Sequence, residues 1–124
     1  MASRRQLIPD FDDFLVVDYS EDDGCWVAHS LRTDQIGTGP TKVEALADLI
    51  RAVYQVCDAA AEDESIAYLR DAAPETQALA KTVAPITAEE MDEALRLAGR
   101  GKPSEKWEPF GRRMRSARGR LQST

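Results

Sequence analysis

The sequence predicts an α+β fold in which a three-stranded antiparallel sheet carries one long helix packed on one of its faces. Three observations predict this fold. Residues 14–31 contain two runs rich in β-branched and aromatic residues, separated by an Asp-Asp-Gly turn signal. Residues 36–39 form a third short run with two glycines. Residues 41–61 then space their apolar side chains three and four positions apart, as an amphipathic helix does.

The first two strands are predicted to form a hairpin. Residues 1–13 are irregular, because Pro9 and several aspartates disfavour regular structure. Strands follow over Phe14–Glu21 and Cys25–Leu31, and the turn between them ends in an Asp-Gly pair, which tolerates the positive φ angles of a tight turn. Each strand mixes polar and apolar residues on both sides. The pattern therefore leaves open which face of the sheet is buried.

The third strand leads into the helix. Gly37 and Gly39 fit either an edge strand or a place of close backbone approach. Thr41 is a suitable N-cap, and Glu44 three residues later completes a capping box. The helix is predicted to run to about Ala61. Its predicted buried stripe is Val43, Leu46, Ala47, Ile50, Val53, Tyr54 and Cys57.

Three short helices are predicted after this core, which spans residues 14–62. They cover Ser65–Ala73, Glu75–Val83 and a segment that starts at the capping box Thr87-Ala-Glu-Glu90 and ends at Gly99. Together they form an extension over residues 63–101. Residues 102–124 are a basic C-terminal arm with few apolar residues.

Charge is distributed unevenly along the chain. Residues 1–95 hold 20 acidic and 7 basic residues, a balance of −13, whereas residues 96–124 hold 9 basic and 2 acidic residues, a balance of +7. An acidic body attracts basic partners and repels nucleic acid. The basic arm is predicted either to bind nucleic acid or to fold back onto the acidic body.

Other features of the sequence bear on compartment. The chain has no run of about 18 apolar residues, so no membrane span is predicted, and residues 1–10 lack the apolar stretch of a signal peptide. Cys25 and Cys57 are therefore expected to be reduced. We expect a cytoplasmic protein.

The central stretch carries a recognisable pattern. Tyr19-Ser-Glu-Asp-Asp-Gly24 is an acidic turn after a strand, Trp26-Val-Ala begins the next strand, and Gly39-Pro-Thr41-Lys-Val-Glu44-Ala-Leu46-Ala starts the helix. Residues 14–60 thereby resemble the HicB-like antitoxins. The resemblance implies three antiparallel strands and a helix, akin to a partial RNase H fold. It also suggests a fourth strand after the helix, for which the closest stretch, Lys81–Ile86, is poor strand material.

The resemblance implies a non-enzymatic, protein-binding module. Its partner would be a small, basic HicA-like RNase toxin, which the acidic body would neutralise by steric and electrostatic covering. The residues predicted to bind this partner are Asp18, Glu21, Asp22, Asp23, Trp26 and His29. A homodimer is also expected to be possible, because edge strands of small sheets invite pairing.

No catalytic set, metal site or cofactor is predicted. His29 is the only histidine, and Asp18 is predicted to lie across the hairpin from it. Asp18 and Asp48 could still come together in the fold, and such a carboxylate pair would form part of a nuclease-like metal site. The alternative function is that of a nucleic-acid-binding regulator. It would use the arginines of the basic arm: Arg112, Arg113, Arg115, Arg118 and Arg120.

Overall fold

The protein is seen in a computed structural model that describes residues 13–67, 69–83, 85–99 and 114–116. In chain order the elements are β1 (Asp13–Ser20), β2 (Cys25–Ser30), β3 (Ile36–Gly39), α1 (Lys42–Glu62), α2 (Pro74–Leu79), α3 (Ala88–Ala98) and β4 (Met114–Ser116). The strands form one sheet in the order β3-β2-β1-β4. The first three are antiparallel neighbours, and β4 is parallel to β1. The predicted fold class is confirmed.

The β1–β2 hairpin closes through a four-residue turn over residues 21–24. Ser20 pairs with Cys25, and the Gly24 amide donates to the Ser20 carbonyl oxygen at 2.8 Å. Gly24 has a φ of 68°, a left-handed conformation that suits glycine because it has no Cβ. Only this residue of the turn needs a positive φ, so the Asp-Gly pair does not form a two-residue turn.

The backbone of α1 lies directly against β3. A Cβ at Gly37 would fall 2.2 Å from the Leu49 backbone nitrogen, and one at Gly39 would fall 2.7 Å from that of Ala45. Any side chain at these positions would push the helix off the sheet. Both predictions for the two glycines are correct, since β3 is an edge strand and a place of close backbone approach.

The predicted helix and its N-cap are confirmed. The Thr41 hydroxyl accepts a hydrogen bond from the Glu44 amide at 3.1 Å, which is one half of the predicted capping box, and α1 ends at Glu62. Of the predicted stripe, all residues except Val43 are buried. At α3 both halves of the predicted box form between Thr87 and Glu90.

One hydrophobic core joins the sheet, α1 and α3. Leu15, Val17 and Ala28 supply the sheet side, and the side chains packed against them from the helices and from the loop before α3 include Ile50, Val53, Ile86, Met91 and Ala94. The opposite face of the sheet has a smaller cluster, in which Phe14 and Val16 contact Ala80 and Val83. Both faces of β1 are therefore covered at its N-terminal end.

The structure corrects two predictions made for the chain after α1. The described residues of the segment 65–73 are not helical, because the Arg70 and Ala72 amides donate to the carbonyl oxygens of Arg32 and Leu31. The helix predicted over Glu75–Val83 is the shorter α2. A fourth strand, β4, lies in the basic arm, where none was predicted.

Candidate protein-binding surface

Four carboxylates, which we call the acidic tip, lie near the end of β1 and in the hairpin turn: Asp18 in β1, and Glu21, Asp22 and Asp23 in the turn. All four residues are exposed. The turn is held in shape by Ser20, whose hydroxyl donates to the Asp23 carboxylate at 3.0 Å and accepts from the Asp23 amide at 3.2 Å. The Asp18 carboxylate accepts from the Tyr19 amide at 2.9 Å. The hairpin thus carries four exposed carboxylates within six consecutive residues.

The acidic tip carries no partner cation from the described part of the chain. The ion pairs found there join His29 to Asp34, Arg32 to Asp71, Lys42 to Glu90, Arg51 to Asp48 and Arg96 to Glu93. None of these pairs includes a residue of the tip. Since like charges that are held close together repel one another, the tip favours the approach of a basic group.

Beside the tip, part of the sheet face opposite α1 is exposed. The register places Asp18, Val27 and Thr38 in one row, and His29 and Ile36 in the next. Ile36 is 53% exposed, Asp18 and Thr38 are exposed, and Val27 and His29 are half-buried. We call these five residues the open face. It offers one exposed apolar side chain, Ile36, on the same face as Asp18, and apolar surface beside polar residues is found at protein-interaction sites.

His29 bonds to Asp34 and not to Asp18, so the predicted pair is wrong. Its Nε2 lies 2.6 Å from the Asp34 Oδ1. The reason is the length of the turn. A two-residue turn at Asp23-Gly24 would set Asp18 opposite His29, whereas the four-residue turn shifts the register by two and sets Asp18 opposite Val27. Asp34 has a φ of 57°, a conformation that aspartate tolerates better than most residues.

Trp26 is separated from the other predicted partner-binding residues. It lies on the helix side of the sheet, where it is half-buried and packs against the core. Tyr19, directly opposite it in the register, is 46% exposed, and the two rings meet edge to face with centroids 5.6 Å apart. The structure therefore places Asp18 and His29 on the face opposite α1, Glu21, Asp22 and Asp23 in the turn, and Trp26 on the helix side.

The carboxylates of Asp18 and Asp48 do not converge. Asp18 is on the open face, whereas Asp48 lies on α1 and accepts from the Thr38 amide of β3 at 3.0 Å. Among the described residues, no group of three or more His, Cys, Asp or Glu side chains is placed to hold a metal ion.

Asp48 also lines a groove of about 520 Å³ between β3 and the C-terminal end of α3, together with Glu44, Arg51 and Leu97.

A buried polar cluster at the start of β1 was not predicted. The Asp13 carboxylate, fully buried, accepts from the Ser30 hydroxyl at 2.8 Å and from the Phe14 amide at 2.9 Å. The Ser30 hydroxyl lies 2.6 Å from that of Thr33. Burial raises the pKa of Asp13 to about 6, against the lowering effect of its hydrogen bonds. The sequence held one signal for this burial. Asp13 stands two residues before Leu15, so in a strand both side chains lie on the same face.

Both cysteines are free thiols. Cys57 lies in the core on α1, and burial, with the negative charges of Asp13 and Asp58, raises the pKa of its thiol to about 12. A thiol with so high a pKa stays protonated near neutral pH and is a poor nucleophile or metal ligand. Cys57 is therefore a core residue, as small buried cysteines commonly are.

Of the arginines predicted to contact nucleic acid, only Arg115 lies in the described residues. It is the middle residue of β4, opposite Phe14 in β1. Arg112, Arg113, Arg118 and Arg120 lie outside the described residues, as do residues 1–12. The arm thus returns to its own acidic body at one point at least.

Comparison of the chain with protein-family models, curated proteins and solved structures gives no match. In the described part of the chain, no helix is long and apolar enough to cross a bilayer.

Proposed function

We propose that this protein is a HicB-like antitoxin, or a stand-alone relative of one, that binds and neutralises a small basic RNase toxin in the cytoplasm. The observation that carries the proposal is the acidic tip beside the open face. Four exposed carboxylates without cationic partners among the described residues adjoin an uncovered strand surface that includes Ile36. This surface suits a basic protein with an apolar contact patch.

The topology supports the same proposal. The resemblance on residues 14–60 implies three antiparallel strands followed by a helix, with a fourth strand after it. The sheet has this order, and its fourth strand is β4, parallel to β1. The glycines of β3 and the Thr41 cap, which carry part of the resemblance, are the residues that seat α1 on the sheet.

The proposed action is steric and electrostatic, with no chemistry performed by this chain. His29 is bound to Asp34, and both are partly buried. Of the candidate nuclease pair, Asp18 lies on the face opposite α1, whereas the Asp48 carboxylate is bonded at the edge of β3. The module would act by covering the toxin's catalytic groups with its acidic surface.

The proposal is tested by co-expression with small basic proteins encoded beside its gene. The wild-type chain should restore growth to cells that express such a toxin and should co-purify with it. Replacing Glu21 and Asp22 by Lys should abolish rescue. The matched control, Glu89→Lys with Asp92→Lys, makes the same change in charge on the exposed side of α3 and should rescue normally. Equal rescue by both variants, or no toxin that the wild type neutralises, would contradict the proposal.

A further inference from the structure

The outer edge of β3 has backbone groups that can bond to a further strand. In the described part of the chain, β3 pairs with β2 alone. The Ser30 amide donates to the Gln35 carbonyl oxygen, and hydrogen bonding alternates along an antiparallel strand, so the odd-numbered residues of this stretch bond to β2. The backbone groups of Ile36 and Thr38 therefore point to the outer edge.

One of these groups, the Thr38 amide, is held by a side chain. It donates to the Asp48 carboxylate of α1 at 3.0 Å. A neutral strand that pairs with β3 would have to break this charge-assisted hydrogen bond and leave the carboxylate without a replacement. A strand that carries a cation offers the carboxylate a new partner, and the released amide can then donate to a carbonyl oxygen of that strand. The arrangement therefore favours a basic strand.

The groove beside this edge has an excess of negative charge. Its ionisable side chains are Glu44, Asp48 and Arg51. The Arg51 guanidinium lies 3.9 Å from the Asp48 carboxylate and also donates to the Leu97 carbonyl oxygen at 3.4 Å. Glu44 is exposed and belongs to none of the ion pairs found among the described residues. Two carboxylates thus share one guanidinium group, and the groove suits one more cation.

The two faces of the sheet determine the sequence pattern of a strand that fits this edge. Neighbouring strands lie about 4.8 Å apart, and the side chains of a strand alternate between the two faces. On the α1 side an added strand would meet Glu44 and Asp48 in the groove. On the opposite side it would lie beside the exposed side chain of Ile36. Basic residues on the first side and apolar residues on the second match these surroundings.

We propose that the β3 edge and this groove bind an extended segment of another protein in which basic and apolar residues alternate. The backbone of the segment pairs with Ile36 and Thr38, and one of its basic side chains binds the carboxylates of Asp48 and Glu44. The proposal goes beyond the proposed function and does not rest on it, because it makes no use of the acidic tip.

NMR with two short peptides tests this site on the ¹⁵N-labelled full chain. The basic probe is the acetylated and amidated peptide Val-Arg-Val-Arg-Val, and in the neutral probe glutamine replaces both arginines. The basic probe should shift the amide resonances of Ile36–Gly39, with Thr38 most affected because its acceptor changes. The neutral probe should bind about fivefold more weakly, since it lacks the ion pair. Equal affinities, or shifts confined to residues 18–23, would overturn the proposal.

A pair of variants separates the Asp48 contact from general attraction by an acidic protein. Asp48→Asn keeps an oxygen that can accept from the Thr38 amide but removes the charge, so it should lose most of the preference for the basic probe. The control Asp92→Asn makes the same change in net charge on the exposed side of α3 and should keep the preference. An equal preference in the two variants would overturn the proposal.

Two further measurements test strand pairing itself. A basic probe that is methylated at its backbone nitrogens keeps its charge but cannot pair as a strand, so it should leave Thr38 unshifted, and binding as tight as that of the unmethylated probe would overturn the proposal. Without peptide, shifts of Ile36–Gly39 that grow with protein concentration would mean that a second copy occupies the edge, and would overturn it too. No toxin enters these experiments, so their outcome is independent of the co-expression test.

Discussion

At the residue scale, the protonation of Asp13 is coupled to folding. It is fully buried in the polar cluster with Ser30 and Thr33, and burial raises its pKa from 3.8 to about 6. Between those two values the folded state holds a proton that the unfolded chain has released. The contribution of Asp13 to stability is therefore largest below pH 4 and decreases as the pH rises through 6.

We predict that Asp13→Asn removes this pH dependence. Between pH 4 and pH 7 the wild type should lose about 2 kcal/mol of unfolding free energy relative to the variant, because a shift of one pKa unit corresponds to about 1.4 kcal/mol and part of the effect lies below pH 4. Urea denaturation at four pH values measures this difference. Parallel profiles for the two proteins would show that the carboxyl group does not titrate in this window.

At the scale of elements, the contact between α1 and β3 depends on the absence of side chains at two positions. We predict that Gly37→Ala destabilises the protein by about 3 kcal/mol or more, because a Cβ would lie 2.2 Å from the Leu49 nitrogen and the helix must move. Thermal and urea unfolding measure the loss.

The matched control is Gly24→Ala in the hairpin turn. A Cβ there has no heavy atom within 4 Å, so the cost is that of a left-handed residue, about 1 kcal/mol. Equal losses at Gly37 and Gly24 would mean that α1 does not lie as close to β3 as described.

The edge of β3 is protected by α1. The Thr38 amide points away from β2, and the Asp48 carboxylate accepts from it at 3.0 Å. An unpaired strand edge is a template for pairing with another chain. We predict that Asp48→Ala raises self-association through β3, seen as an increase of weight-average mass with concentration in analytical ultracentrifugation. Asp92→Ala on α3 is the control and should associate no more than the wild type. If Asp48→Ala also behaves as the wild type, the Asp48 carboxylate does not protect the edge of β3.

The elements with a strong local signal were predicted well. Periodic apolar residues and the Thr41 cap located α1, and the capping box located α3, because these signals involve neighbours three or four residues apart. The helix predicted over Ser65–Ala73 was wrong. Its apolar spacing suits a helix, but the Arg70 and Ala72 amides bond to the distant carbonyl oxygens of residues 32 and 31. Such a contact leaves no local trace in the sequence.

The candidate site was predicted in composition but not in arrangement. The acidic turn was identified from Asp22 and Asp23, yet the pairing of His29 depended on whether the turn has two or four residues, which sequence preference did not decide. The strand β4 has three residues in an arginine-rich run and pairs through its backbone with a strand about a hundred residues earlier. Neither its existence nor its direction has a periodic signal.

At the scale of the whole molecule, binding of nucleic acid by the basic arm distinguishes the alternative function from the proposed one. If the arm binds nucleic acid, replacing Arg112, Arg113, Arg118 and Arg120 by Glu should abolish retention of random-sequence RNA or DNA and flatten its salt dependence, since each phosphate contact adds about one unit to the slope. We expect the full chain to retain little of either nucleic acid at about 0.15 M salt, because the −13 body repels phosphates. Filter binding at two salt concentrations distinguishes the outcomes.

The acidic tip and the open face are proposed as one continuous surface for a basic partner, and NMR mapping tests that claim most directly. The ¹⁵N-labelled full chain would be titrated with the small basic protein that it neutralises in co-expression. We predict that the largest shifts fall on Asp18, residues 21–23, Val27, His29 and Ile36, and that they are absent in the Glu21→Lys, Asp22→Lys variant. Shifts confined to α3 or to the groove beside Arg51, with the tip unchanged, would contradict it.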